Sequence, residues 1–109
     1  MAFDEGVAER IREVFAGRYD IEEKKMFGGL AFMHNGHMCV GVVNDTLMAR
    51  VGPEQYPKAL KLPHAREMDF TGKPLKGFIY VAPEGFEADK DLQAWIARCE
   101  GYTASLSPK

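Results

Sequence analysis

With 109 residues, 46% of them apolar and 28% charged, the chain has the size and composition of one folded, soluble domain spanning 1–109 that buries a core without staples. A formal net charge of −2 and a pI of about 5.9 leave no basic footprint for non-specific nucleic-acid binding, so no direct nucleic-acid partner is expected. No apolar run approaches a membrane span, MAFDEGVAER is not laid out as a signal peptide, and two cysteines beside six methionines fit a cytoplasmic protein with reduced thiols.

Asp4 to Gly17 reads as an amphipathic helix, with Asp4 as N-cap, Val7, Ile11, Val14 and Phe15 as the stripe, and Gly17 at C′. Lys24 to Gly52 reads as three strands joined by turns at Asn35-Gly36 and Asn44-Asp45; Asn-Gly suits a type I′ turn because both central residues need positive φ. Pro53-Glu54 starts a short helix that Pro57 and Pro63 keep brief. Arg66 to Phe70 is an expected edge strand, Thr71-Gly72-Lys73-Pro74 a turn, and Gly77 to Ala82 a further strand. After Pro83-Glu84-Gly85, a final helix runs from Glu87 to Glu100 on the stripe Leu92, Trp95, Ile96 and Cys99; Gly101 closes it, and Thr103 to Lys109 is a polar tail expected to fray. The order α-βββ-α-ββ-α predicts an α+β domain, an antiparallel sheet of about five strands with helices on one face.

Two-residue turns fix a register, and side chains alternate between faces. An uninterrupted ladder pairs Phe32 with Cys39 and puts Phe27, Gly29, Ala31, Met33, Met38, Val40, Val42, Leu47, Ala49 and Val51 on one wholly apolar face, assigned to the helices. Leu30, Phe32, His34, His37, Cys39, Gly41, Val43, Thr46, Met48 and Arg50 then share the other. That face is too apolar for a wet one. It is therefore assigned to a homodimer interface of Leu30, Phe32, Gly41, Val43 and Met48, the alternative being cover by the C-terminal segment of the same chain.

His34, His37 and Cys39 carry zinc-type donors, but a closed site needs a fourth ligand; no metal and no cofactor are expected. Cys39 and His37, two apart on one strand, stand roughly 6.5–7 Å from each other, beyond a nucleophile–base hydrogen bond. Gly28-Gly29 lacks the surroundings of a phosphate loop and reads as a bulge or a close backbone approach. Arg50 points from mid-sheet to the mixed face, where it needs a carboxylate, phosphate or carbonyl partner. Arg50, His37, Cys39 and Phe32 are the candidate ligand- or partner-binding residues; no catalytic set forms.

The runs KKMFGGLAFMHNGHMCVGVVNDTLMARVGPE, MDFTGKPLKGFIYVAPEG and DLQAWIARC resemble the N-terminal domain of the TfoX/Sxy family of bacterial proteins over about residues 4 to 106. Met26-Phe27-Gly28-Gly29, Leu47 to Gly52 and Pro74-Leu75-Lys76-Gly77 are the most specific parts. The resemblance implies a secretion-chaperone-like α+β fold that often dimerises through its sheet. Full-length members regulate natural competence, promoting transcription alongside a cyclic-AMP receptor protein, and carry a second, helical domain; this chain reads as a stand-alone N-terminal domain. The family brings no catalytic residues, so the expected function is a non-enzymatic regulatory or protein-interaction domain, related to transcription only indirectly. The alternative is a small-molecule or metal-binding domain that uses the mixed face.

Overall fold

The computed structural model describes residues 3–26, 28–69, 72 and 75–107. Helix α1 (Glu5–Val14) starts where the Asp4 carboxylate accepts the Gly6 and Val7 N–H groups at 2.8 and 3.2 Å, satisfying donors a helix start leaves open. It buries Val7, Ala8 and Ile11 and leaves Val14 exposed. A four-strand meander follows: β1 (Ile21–Met26), β2 (Gly29–His34), β3 (His37–Val43) and β4 (Thr46–Arg50). After α2 (Tyr56–Leu60) come β5 (Ala65–Glu67), β6 (Phe78–Val81), a 3-10 turn at Pro83–Gly85 and α3 (Asp89–Thr103). The described strands form one antiparallel sheet in the order β1-β2-β3-β4-β6-β5.

Class and helix placement are as the sequence predicts, with six strands rather than five. The additional strand is β1, whose IEEKKM has no apolar alternation to reveal it. Its turn into β2 needs Gly28, at φ +74°, and Asn35 and Gly36 take φ 53° and 86°, as a type I′ turn requires. The edge strand β5 is shorter than Arg66 to Phe70; Phe70, like Phe27 and Thr71, Lys73 and Pro74 of the expected turn, lies outside the described residues.

One irregularity reorders the faces. His34 pairs with His37 and Met33 with Met38, but Phe32 pairs with Val40, so Cys39 is an extra, bulged residue. Beyond the bulge every β2 residue meets a β3 residue one place further on, and a one-place shift exchanges faces. The helix side therefore holds Leu30 and Phe32 with Cys39, Val40, Val42, Leu47, Ala49, Val51, Ile79 and Val81, packed under α1 and α3; the Phe32 and Phe15 rings lie 6.1 Å apart. Ala31, Met33 and Met38, expected against the helices, line the opposite face with Met48, Val43, Phe78 and Tyr80.

That opposite face is covered from within the chain. Met68 and Leu75, in the connection from β5 to β6, pack with Ala31, Met38 and Met48, and the Leu75 N–H donates to the Met68 carbonyl at 2.8 Å. Met48 and Met68 are fully buried and Gly41 is buried, while Val43 is half-buried. Of the residues assigned to a shared interface, Leu30 and Phe32 thus belong to the helix-side core, and Met48 already has its cover. The premise that nothing in the chain covers this face is corrected, and the cover is the β5–β6 connection rather than the C-terminal segment. The Ala31–Gly41 pair leaves the space that Met48 fills: a Cβ on Gly41 would come within 2.9 Å of Met48 Cε.

Candidate functional site

The bulge brings His34, Cys39 and the end of α3 together in a polar node under the helices. Thr103, expected in a frayed tail, is instead the last residue of α3 and fully buried; the helix runs through Gly101. The His34 ring lies between Asp20 and Thr103, with Nε2 to Asp20 Oδ2 at 3.1 Å and Nδ1 to Thr103 Oγ1 at 2.8 Å. The Asp20 carboxylate accepts from Nε2–H, and Nδ1 meets the Thr103 hydroxyl. Arg18 forks onto Asp20 at 2.9 and 2.8 Å and reaches Glu100 Oε2 at 2.7 Å, so the node ties the start of the meander to the last turn of α3.

Acid, imidazole and hydroxyl stand in the order of a nucleophilic triad, but the geometry serves packing. The hydroxyl is fully buried and also reaches the Cys99 carbonyl at 3.2 Å, so a substrate could meet it only if α3 lifted. Cys39 and Cys99 are free, fully buried thiols. Desolvation pushes Cys39 up to about 11, against a smaller opposing effect of the Thr103 hydroxyl, and pushes Cys99 well up. Both are held as neutral thiols at physiological pH, the opposite of an activated nucleophile.

The other predicted residues do not converge. The His37 ring is hydrogen-bonded to the Ser107 carbonyl at 2.6 Å, and Phe32 is sealed in the helix-side core. The Arg50 guanidinium sits 5.3 Å from the Phe78 ring centroid and 5.4 Å from that of Tyr102, and donates to the Met38 carbonyl at 3.3 Å. Its partners are two rings and a carbonyl, the last being one of the three kinds of partner the sequence allows it. Among the described residues no three or more His, Cys, Asp or Glu side chains group to hold a metal ion. A cleft of about 320 Å³ does lie beside α3, with His64, Glu84, Asp91, Trp95 and Arg98 on its walls, but none of the predicted site residues reaches it. His64 stands there at φ 68°, and its carbonyl accepts the Ala82 N–H at 2.9 Å, which ties the β5 entry to the end of β6.

Sequence reasoning missed Asp20, Arg18, Glu100 and Thr103. The signal for Thr103 was present: Leu92, Ile96, Cys99 and Thr103 continue one helical stripe by another turn. Asp20 and Arg18 precede a strand that the sequence pattern hides.

The node carries a pH dependence. Hydrogen bonds from Arg18 hold the Asp20 carboxyl down to about 2, against about 4 for an ordinary aspartate. A lowered folded value stabilises fully above about pH 4, and the contribution is lost as pH falls through about 2. Urea titrations should therefore find Asp20→Asn less stable than wild type at pH 5 and converging on it toward pH 2. A gap unchanged across that window would contradict the Arg18–Asp20 pairing. Glu23, held low by Arg12 in the same way, supplies part of the slope that remains.

The fold and the node define a small α+β domain whose candidate chemical groups are spent on holding the helices to the sheet. The chain belongs to the TfoX N-terminal domain family, whose model matches residues 13–101. No curated protein and no solved structure matches it. Among the described residues no helix is long and apolar enough to cross a membrane.

Proposed function

We propose that this chain is a cytoplasmic, non-enzymatic regulatory domain that works by protein–protein contact and bears on competence-related transcription indirectly. Membership of the TfoX N-terminal domain family supports the regulatory setting. The observation that carries the non-enzymatic part is the commitment of His34, Cys39 and Thr103 to a buried node, with His37 and Arg50 engaged by backbone carbonyls. The net charge of −2 favours an indirect role, because phosphate contacts made by Lys and Arg supply most non-specific DNA affinity.

Fluorescence anisotropy with a labelled duplex bearing a site for a cyclic-AMP receptor protein tests this reading. The purified chain should leave the bare duplex unchanged at physiological salt and add to the signal only when the receptor protein and cyclic AMP are bound. Sub-micromolar binding to the bare duplex that collapses with added salt would make the chain a direct DNA binder. No change in either arm would remove the transcriptional reading.

A further inference from the structure

Strand β1 ends the sheet, and the outer side of Ile21–Met26 pairs with nothing among the described residues. Glu22, Glu23, Lys24 and Lys25 are all exposed. His34 pairs with His37 across the two-residue Asn35-Gly36 turn, so Met33, Ala31 and Gly29 turn their backbone groups toward β1. Glu22, Lys24 and Met26 exchange hydrogen bonds with them, while Ile21, Glu23 and Lys25 turn their N–H and C=O groups outward. Among the described residues, Glu22, Lys24 and Lys25 have no ion-pair partner within the chain. An unpaired row of backbone groups on a regular strand is a template for another strand.

We propose that β1 is the contact through which two copies of this chain associate, antiparallel about a two-fold axis at Glu23, continuing the sheet from one copy into the other. The occupant follows from the order of the charges. Residues opposite each other across an antiparallel pair share a face, so a two-fold axis normal to the sheet must pass through a residue, here Glu23 or Lys24. With the axis at Glu23, Glu22 of each copy stands opposite Lys24 of the other, on the face away from the helices. The outward backbone groups of Ile21, Glu23 and Lys25 then all find partners. With the axis at Lys24, two bare ammonium groups would face each other. Glu23 meeting its own copy is tempered, because Arg12 of each copy grips that carboxylate at 2.7 and 2.9 Å.

Charges placed only to block pairing need no order. Self-pairing does, because the two residues that flank the axis stand opposite each other and must carry opposite signs. About Glu23, Glu22 and Lys24 meet that condition; a strictly alternating Glu-Lys strand would set like charges opposite each other.

Sedimentation velocity on the full chain, with circular dichroism to confirm that each variant is folded, tests the proposal. Wild type should dimerise at tens of micromolar, and Glu22→Lys and Lys24→Glu should each weaken the dimer by at least about tenfold, since both symmetric pairs become repulsive. An equimolar mixture of the two variants should recover the dimer, because unlike charges again face across the axis. A wild-type monomer at about 100 µM, single variants that dimerise as wild type does, or a mixture that stays monomeric would each overturn the proposal.

Discussion

Met48→Glu is expected to abolish folding, not merely to separate subunits. Met48 is fully buried on the sheet face away from the helices, among Ala31, Met38 and Met68, and its Cε fills the space above Gly41. A carboxylate there enters an apolar cluster, with Arg50 and Arg66 already stacked on the Phe78 and Tyr80 rings beside it, and must be buried as a charge or take up a proton. Either route costs on the order of 4–5 kcal/mol, in the range of the whole stability of a domain this size. The flat register of the sequence analysis places the same residue in a subunit interface, where the variant would be a folded monomer. Far-UV circular dichroism and a thermal melt separate the two. A variant that melts with wild-type cooperativity near the wild-type temperature would contradict the intrachain cover by Met68 and Leu75.

The second large effect falls at Gly29. A Cβ added there would run into the Val42 carbonyl oxygen and come within 2.9 Å of the Val43 Cα, both backbone atoms of β3 that cannot rotate aside. Gly29→Ala should therefore cost about 3 kcal/mol or more, because the first pairs of β2 must spread to admit a methyl group. Gly101 supplies the contrast. It lies inside α3 with nothing within 4 Å of an added Cβ, so Gly101→Ala should stabilise the domain by about 0.5–1 kcal/mol. Urea unfolding of both variants checks the pair. Equal and small effects would mean that β2 and β3 do not approach as closely as described.

Much of the fold was legible because local signals carried it. Asp4 caps α1, Asn35-Gly36 turns the hairpin, and the Leu92–Cys99 stripe places α3. The faces of β3 and β4 were right at Val40, Val42, Leu47, Ala49 and Val51 for the same reason. The faces of β2 were not legible, because a bulge adds one residue without changing composition, and Met, Ala, Leu and Phe satisfy either side of a sheet with two apolar faces. Here both faces are covered, one by helices and one by the β5–β6 connection, so alternation could not say which was which. The candidate site depended on that register. His34 and Cys39 stand out in the sequence, but their surroundings (Asp20, Thr103 and Cys99) come from segments distant in sequence and only the bulge assembles them.

The central structural claim is that the bulge at Cys39 turns Phe32 and His34 toward the helices, spending the chemistry-bearing residues on packing. Nuclear Overhauser contacts of the Phe32 ring test it most directly. Cross-peaks to the Phe15 ring, with a His34-to-Thr103 contact beside them, are the result this structure predicts. Cross-peaks from Phe32 to the Met48 methyl group, with none to Phe15, would mean a flat ladder with these residues on the opposite face, and would contradict it.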